Sequence, residues 1–258
     1  MNLPGRELAY DPDCSTLERL YVRALGAPIN GLRIRLAHVI PATRGDYRRI
    51  LDAGCGGGAF SIELAKAHPG AEVVGVDLDE SLVIKANRIA KTAGLGNLRF
   101  ETADVTALRF RGEFDLVVSV DNLEHIEDEV AAIRSLHAAL MPRGRLVVHV
   151  PGYYRRWPVL KKSVNFDVPG HVRPGYLLED LTEKLAQGGF EVESARYTFG
   201  FLENLSNNIS YAITGADKRN KMLYAFAFPF LQIIAHIGSG AKPTWGAGVL
   251  VTAMAADA

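Results

Sequence analysis

The sequence predicts an α/β protein: a doubly wound, mostly parallel sheet with helices on both faces. Three observations predict it. Apolar, strand-like runs alternate with segments of helical spacing, the pattern of a parallel sheet covered by crossover helices. One run, "FDLVVSVD" at 114–121, is almost continuously apolar, as a strand buried on both faces must be. A glycine-rich turn, "AGCGGG" at 53–58, follows directly on another apolar strand.

Composition narrows the classes. The chain has 258 residues, 48% hydrophobic and 22% charged, enough for one large folded domain with a real core. Lys plus Arg equals Asp plus Glu at 29 each. The basic excess of a general nucleic-acid binder is missing, so no nucleic-acid partner is expected. Two distant cysteines, Cys14 and Cys55, make neither a disulfide framework nor a zinc cluster. The start, "MNLPGRELAYDPDCS", lacks the basic and apolar regions of a signal peptide, and a cytoplasmic protein is expected.

The elements come in this order. "STLE" at 15–18 has capping-box form, and Leu17, Leu20, Tyr21 and Ala24 continue at helical spacing. A short helix holding Leu32, Leu36 and Val39 comes next. "RRILDAGCGGG" is strand one running into the turn, and a helix over Phe60–Ala67 stops at "HPG". "EVVGVD" is strand two; Asp79 can cap the next helix, whose Leu82, Ala86, Ile89, Ala90 and Ala93 share a face. "NLRFETAD" is strand three and "FDLVVSVD" strand four. A helix marked by Ile133, Leu136, His137 and Leu140 ends at "MPRG", before strand five, "RLVVHV". A long stretch, Pro151–Gly175, is rich in Tyr, Trp, Pro and Gly; a helix with Leu177, Leu181 and Leu185 then ends at Gly188-Gly189. "FEVESARYTF" and "GVLVTAMA" are strands six and seven. Between them lie about 45 residues, long enough to suggest a functional insertion. The expected organisation is an N-terminal helical cap (1–45), a main domain (46–199 and 246–258) and an apolar insertion (200–245).

Four features carry chemistry. Asp52, Gly54, Gly56 and Gly58 close strand one, where glycines let the backbone turn sharply and approach a ligand. Asp77, at the end of strand two, can take both hydroxyls of a ribose. Asp104, at the end of strand three, can accept from an adenine amino group while Val105 packs on the ring. The fourth is the pair "FDLVVSVDNLEHIED" and "LMPRGRLVVHVP". A nicotinamide enzyme shares the first two features, and the position of Asp104 argues against it. In this order, over roughly Arg48–Phe199, the set resembles the class I S-adenosylmethionine-dependent methyltransferases, the broad group that includes ubiquinone and small-molecule methyltransferases.

The resemblance implies a Rossmann-like seven-stranded sheet in the order 3-2-1-4-5-7-6, with strand seven antiparallel. It implies S-adenosylmethionine as cofactor and S-adenosylhomocysteine as product. Gly54, Cys55 and Gly56 would lie along the methionine part, Asp77 and Leu78 at the ribose, Asp104 and Val105 at the adenine, and Val120 on the sulfonium side.

Methyl transfer is an in-line displacement at carbon. The protein's task is to hold nucleophile and methyl in near-attack geometry and exclude water. A hydroxyl nucleophile also needs a base. His125, in "DNLEH", and His171, in "GHVRPGY", are the candidates; each also reads as a residue that merely packs or anchors its loop, and Arg173 can pair with an anionic substrate group or anchor the loop. Asp121, Glu124 and His125 match a divalent-ion set of some ubiquinone-pathway O-methyltransferases. The preferred reading is a capping box opened by Asp121 and closed by Glu124, with no metal.

"KMLYAFAFPFLQIIAHIG", at 221–238, remains. It falls short of the ~20 apolar residues of a membrane span and contains Pro229. Strands five and six deliver their loops to the edge where ligands of such sheets bind. Tyr153, Tyr154 and Trp157 in one loop, and Tyr224, Phe226, Phe228 and Phe230 in the other, lie near Arg155, Arg156, Lys161, Lys162, Lys218, Arg219 and Lys221. Aromatics beside cations suit a membrane interface. Three readings stand: a core helix, a lid facing a lipid or prenyl-lipid substrate with peripheral contact at the inner membrane face, or a homodimer contact. The expected acceptor is a small molecule with a large apolar part: a lipid, a prenylated quinone precursor or a hydrophobic natural product. The alternatives are a soluble natural-product O- or N-methyltransferase and a cofactor-binding protein without turnover.

Overall fold

The apolar run of strand four becomes the middle of a seven-stranded sheet. The computed structural model describes residues 3–156, 162–164, 170–214 and 220–256. The first segments are helices α1 (Thr16–Leu25) and α2 (Asn30–Ala42). Then come β1 (Arg49–Ala53), α3 (Ala59–Ala67), β2 (Glu72–Asp77), α4 (Glu80–Thr92), β3 (Leu98–Thr102), β4 (Phe114–Val120), α5 (Glu129–Ala139) and β5 (Leu140–Pro151). A short hairpin, β6 (Tyr154–Arg156) and β7 (Lys162–Val164), precedes α6 (Leu178–Gln187) and β8 (Phe190–Thr198). Helices α7 (Phe201–Thr214) and α8 (Lys221–Gly238) lead to β9 (Gly248–Ala255).

The sheet order is β3-β2-β1-β4-β5-β9-β8. Strands β1 to β5 pair in parallel, and β9 runs antiparallel between β5 and β8. With β8 and β9 counted as strands six and seven, this is the expected order. The hairpin β6–β7 is an addition that the sequence pattern does not predict. Trp157, Lys161, Lys218 and Arg219 lie outside the described residues.

Local chemistry starts the helices where the sequence predicts. Ser15 and Glu18 form a reciprocal capping box on α1, and Asp79 accepts the amides of Ser81 and Leu82 on α4. One boundary differs. "MPRG" does not separate α5 from β5: Leu140 already pairs with Phe114, Arg143 takes a positive φ of 60°, and the β4–β5 register shifts between Phe114 and Leu116. A bulge of this kind absorbs extra residues without ending the strand.

The core lies in two layers. Ile62, Leu64, Val83, Ala86 and Ile89 pack on one sheet face, and Ile133, Leu136, Leu181 and Leu185 on the other. Each large aliphatic side chain buried this way contributes roughly 1.5–3 kcal/mol.

Helices α7 and α8 are held to α2. Asn30 Nδ2 donates to Ser206 Oγ at 3.0 Å, Ser206 Oγ donates to the Leu231 carbonyl at 2.8 Å, and Gln232 Nε2 donates to Asn30 Oδ1 at 2.6 Å. Farther along α2, His38 Nε2 lies 2.6 Å from Glu203 Oε1, while Glu203 Oε2 accepts the Gly200 amide at 3.1 Å. Ile34, Phe199 and Ala235 form the apolar part of this seam. Pro229 sits inside α8 without ending it. Its missing N–H frees the Ala225 carbonyl, and the Tyr21 hydroxyl of α1 donates to that oxygen at 2.6 Å.

Candidate active site

All five parallel strands end on one edge, and the 151–175 and 200–245 segments are rooted there. Strand β8 ends opposite the start of β9, with Thr198 paired to Gly248, and Gly248 also pairs with Pro151. Hydrogen bonds from Tyr153 N to Tyr176 O and from Tyr176 N to Pro151 O return the 151–175 loop to the same edge.

The glycine turn leaves β1 here. Gly54 and Gly56 have φ of 82° and 51°, conformations that only glycine adopts freely. A Cβ on Gly56 would project into open space. Asp77 binds the turn from β2: Oδ2 accepts the Gly56 amide at 2.7 Å and Oδ1 the Asp79 amide at 3.0 Å. Leu78, beside it, is exposed. Asp104 Oδ1 takes both Thr106 donors, at 2.8 and 2.7 Å, which leaves Oδ2 without a partner among the described residues. Val105 and Val120 are buried next to these ends. Cys55 is buried, with its thiol pKa pushed up by desolvation. Asp52 is buried beneath the turn, accepts from Ser61 Oγ at 2.6 Å, and has its pKa raised by burial to about 6. Its contact is with α3, behind the turn. Gly58 is the cap residue that opens α3.

After β4 the sequence expectation needs correction. Asp121 does not cap a helix and Glu124 closes no capping box. Asp121 takes a positive φ of 48°, and its carboxylate binds Arg35 of α2 and, at 2.8 Å, His149 Nδ1 of β5. Burial opposes that charge, but the Arg35 guanidinium and the His149 hydrogen bond outweigh it and hold the carboxyl below its ordinary value. The cap of α5 is Asp128, which accepts from the Ala131 amide. A competing cap later in the sequence is what the motif reading missed. Asp121 is also spent as a ligand for the metal set that included it.

Glu124 is buried, its Oε2 has no partner among the described residues, and burial together with the Asp121 charge raises its pKa to about 8. His125 is exposed in a single 3-10 turn, with Nδ1 2.9 Å from the Gly170 carbonyl. Its ring meets that of His171 edge-on at 4.7 Å. His171 Nδ1 is buried without a partner, and burial lowers the pKa of the ring. The two histidines, 46 positions apart in sequence, are therefore neighbours. One candidate ligand atom from each of Glu124, His125 and His171 falls within 4.8 Å of the others, a spacing that admits a divalent ion. Arg173 is occupied: it binds the Leu123 carbonyl, donates to the Glu127 carbonyl at 3.0 Å and faces Glu129. It anchors the loop that carries His171.

Arg35, Asn122 and His149 carry no motif that singles them out in the sequence. His149 had a signal: a lone histidine inside the apolar strand "RLVVHV" must find partners. It finds Asp121 and, at 2.9 Å, Thr198 Oγ1.

Residues 45–198 match the family described as "Methyltransferase domain". The chain belongs to that family. The chain is 34% identical over 121 residues to a ubiquinone biosynthesis O-methyltransferase of Xanthomonas axonopodis pv. citri, covering 46% of this chain and 50% of that one. A Coxiella burnetii protein of the same name is 34% identical over 119 residues, covering 46% and 49%. The chain thus spans about half the length of the curated relatives it matches. Among solved structures, an S-adenosylmethionine-dependent methyltransferase from Mesorhizobium loti superposes with a TM-score of 0.54 at 23% identity, covering 89% of this chain and 98% of that one. A geranyl diphosphate methyltransferase in complex with GPP and sinefungin gives 0.56 at 14% identity, covering 87% and 78%. The family is that of methyltransferase domains, and the fold is the one seen in the S-adenosylmethionine-dependent methyltransferase of Mesorhizobium loti. The residues fit an S-adenosylmethionine donor: open space at Gly56, a free carboxylate oxygen on Asp104 and an orphaned amide on Asn122 lie along one edge.

Proposed function

We propose that this methyltransferase transfers a methyl group from S-adenosylmethionine to a small molecule with a large apolar part. In this reading Gly54, Cys55 and Gly56 lie along the methionine portion, Asp77 and Leu78 hold the ribose, Asp104 and Val105 the adenine, and Val120 faces the sulfonium. Asp52 and Gly58 act from behind, by fixing the turn and the start of α3. The bound donor supplies an already activated methyl group. What remains for the chain is to orient the acceptor, keep water out and receive a proton.

His125 and His171 are the groups for that last task. A carbonyl can only accept, so the contact with Gly170 makes His125 Nδ1 the N–H donor and leaves the Nε2 lone pair free in the neutral ring. Burial lowers the pKa of His171 and favours its neutral form. Burial and the Asp121 charge raise the pKa of Glu124, beside them, to about 8 and favour its protonated form, which can donate to an acceptor oxygen. The relatives' role in ubiquinone biosynthesis favours oxygen as the atom methylated. Residues 1–45 and 200–245 serve as cap and insertion over the domain of 46–199 and 246–258.

The observation that carries the apolar acceptor is α8. It is the one helix among the described residues long and apolar enough to cross a membrane, by length and composition alone. Phe228, Leu231, Ala235 and Gly238 face the protein. Met222, Leu223, Phe226, Phe230, Ile233 and Ile237 are exposed, Met222 at 89% and Phe226 at 73%. At 3.6 residues per turn these six fall within an arc of about 100°. A helix apolar on both sides, rooted on the edge where the acceptor enters, suits peripheral contact at the cytoplasmic face of a membrane and uptake of a lipid-like substrate from it. The test combines two measurements. Methyl-labelled donor incubated with a cell extract is expected to place label in the organic phase. The protein is expected to sediment with anionic vesicles, and Phe226→Ser with Phe230→Ser to abolish that. Label confined to the aqueous phase, with no vesicle binding, would instead support a soluble enzyme on a polar metabolite; a dimer lost on the same substitutions would make the stripe a subunit contact.

A further inference from the structure

The chain leaves β4 through a left-handed residue that is not glycine. At Asp121 the φ of 48° is a conformation that asparagine and aspartate tolerate better than other side chains. Three contacts, from β5 and α2, hold it. The Asp121 amide donates to the His149 carbonyl at 2.8 Å, its carboxylate binds His149 Nδ1 at 2.8 Å, and its second oxygen meets Arg35. His149 is in turn fixed by Thr198 at 2.9 Å, and Arg35 lies 5.5 Å over the ring of Phe199, at the root of the insertion.

The turn folds Asn122 back against the glycine loop. A Cβ added to Gly54 would come within 2.2 to 2.6 Å of Asn122 Cγ, Oδ1 and Nδ2. Asn122 Nδ2 is buried and has no hydrogen-bond partner among the described residues. Leaving such a donor unsatisfied is costly, and buried donors are as a rule paired. A ligand passing along Gly54 would reach it first.

We propose that Asn122 binds the amino-acid end of the methyl donor, its amide donating to the donor's carboxylate, and that Asp121 is the positioning residue that keeps it there. A carboxylate is the matching partner because it only accepts, whereas the neighbouring ammonium only donates. The proposal rests on the reading of the glycine turn as the donor site, and the experiment separates the two.

The full chain is titrated calorimetrically with S-adenosylhomocysteine and with 5′-methylthioadenosine, which keeps the nucleoside and thioether but has no amino-acid end. Asn122→Ala is expected to weaken S-adenosylhomocysteine tenfold or more and to leave 5′-methylthioadenosine unchanged. Asp121→Ala is expected to reproduce that selective loss, and Asp121→Asn, which tolerates the same φ and can still bond His149, to restore it to within threefold of the wild type. Asp77→Ala is expected to weaken both ligands. An Asn122→Ala protein that binds both ligands normally, or loses both equally, overturns the Asn122 assignment. An Asp121→Ala protein without the selective loss overturns the positioning role. If Asp77→Ala changes neither ligand, the donor-site reading itself fails, whatever Asn122 does.

Discussion

Asp52 offers a test of the ground on which the glycine turn stands. The carboxyl is buried at the end of β1, and desolvation raises its pKa from 3.8 to about 6; the Ser61 hydrogen bond opposes the shift and the Asp77 charge adds to it. An acid whose pKa is raised by folding holds a proton in the native state over a window in which the unfolded chain has lost it. Stability therefore falls as pH rises through that window, from about 4 to about 6, at up to roughly 1.4 kcal/mol per pH unit. Integrated from pH 4.5 to 7.5, this one group removes about 2 kcal/mol. Asp52→Asn cannot titrate and can still accept from Ser61. Urea unfolding of both proteins at three pH values isolates the group, because every other titration cancels in the difference. The variant is expected to gain about 2 kcal/mol on the wild type between pH 4.5 and 7.5, or about 4–8 °C in melting temperature for a domain of this size. A difference constant to within about 0.5 kcal/mol would mean that the carboxylate is solvated, and the account of a dry support beneath the turn would be wrong.

Asp77→Ala should weaken S-adenosylhomocysteine binding by about 1–3 kcal/mol, the size of a lost charged hydrogen bond; unchanged calorimetric affinity refutes the ribose assignment. Glu203→Ala leaves His38 and the Gly200 amide without their buried partner and should cost about 1–3 kcal/mol in urea unfolding, whereas a loose lid would lose nothing. Turnover should survive EDTA; activity lost in chelator and restored by magnesium would instead assign Glu124, His125 and His171 to a metal ion.

Much of the frame was legible because it rests on short-range rules. Ser15 with Glu18 and Asp79 are caps that bond within three residues, and the apolar run at 114–120 can only be a buried strand. The turn at Gly54–Gly58 was legible for a related reason: few residues other than glycine accept its backbone. The turn that leaves β4 was not legible. Asp121 has the spacing of a cap, but its fate is decided by Arg35, 86 positions earlier, and His149, 28 positions later. No local pattern carries that information. The same holds for α8, whose composition fits core, membrane and dimer alike. Only the packing on α2 and α7 separates its covered face from its bare one.

The antiparallel β9 has a consequence in time. Strand β8 joins the sheet through β9 alone, and β9 begins 50 positions after β8 ends. On a ribosome adding about 5–20 residues per second, β8 waits roughly 3–10 s for its partner. During that wait α7 and α8 emerge with apolar faces, before the strand that closes their root exists. Newly made chains should therefore be most vulnerable to aggregation, and most dependent on chaperones, in this interval, when the apolar insertion has been synthesised and the strand that locks its root has not.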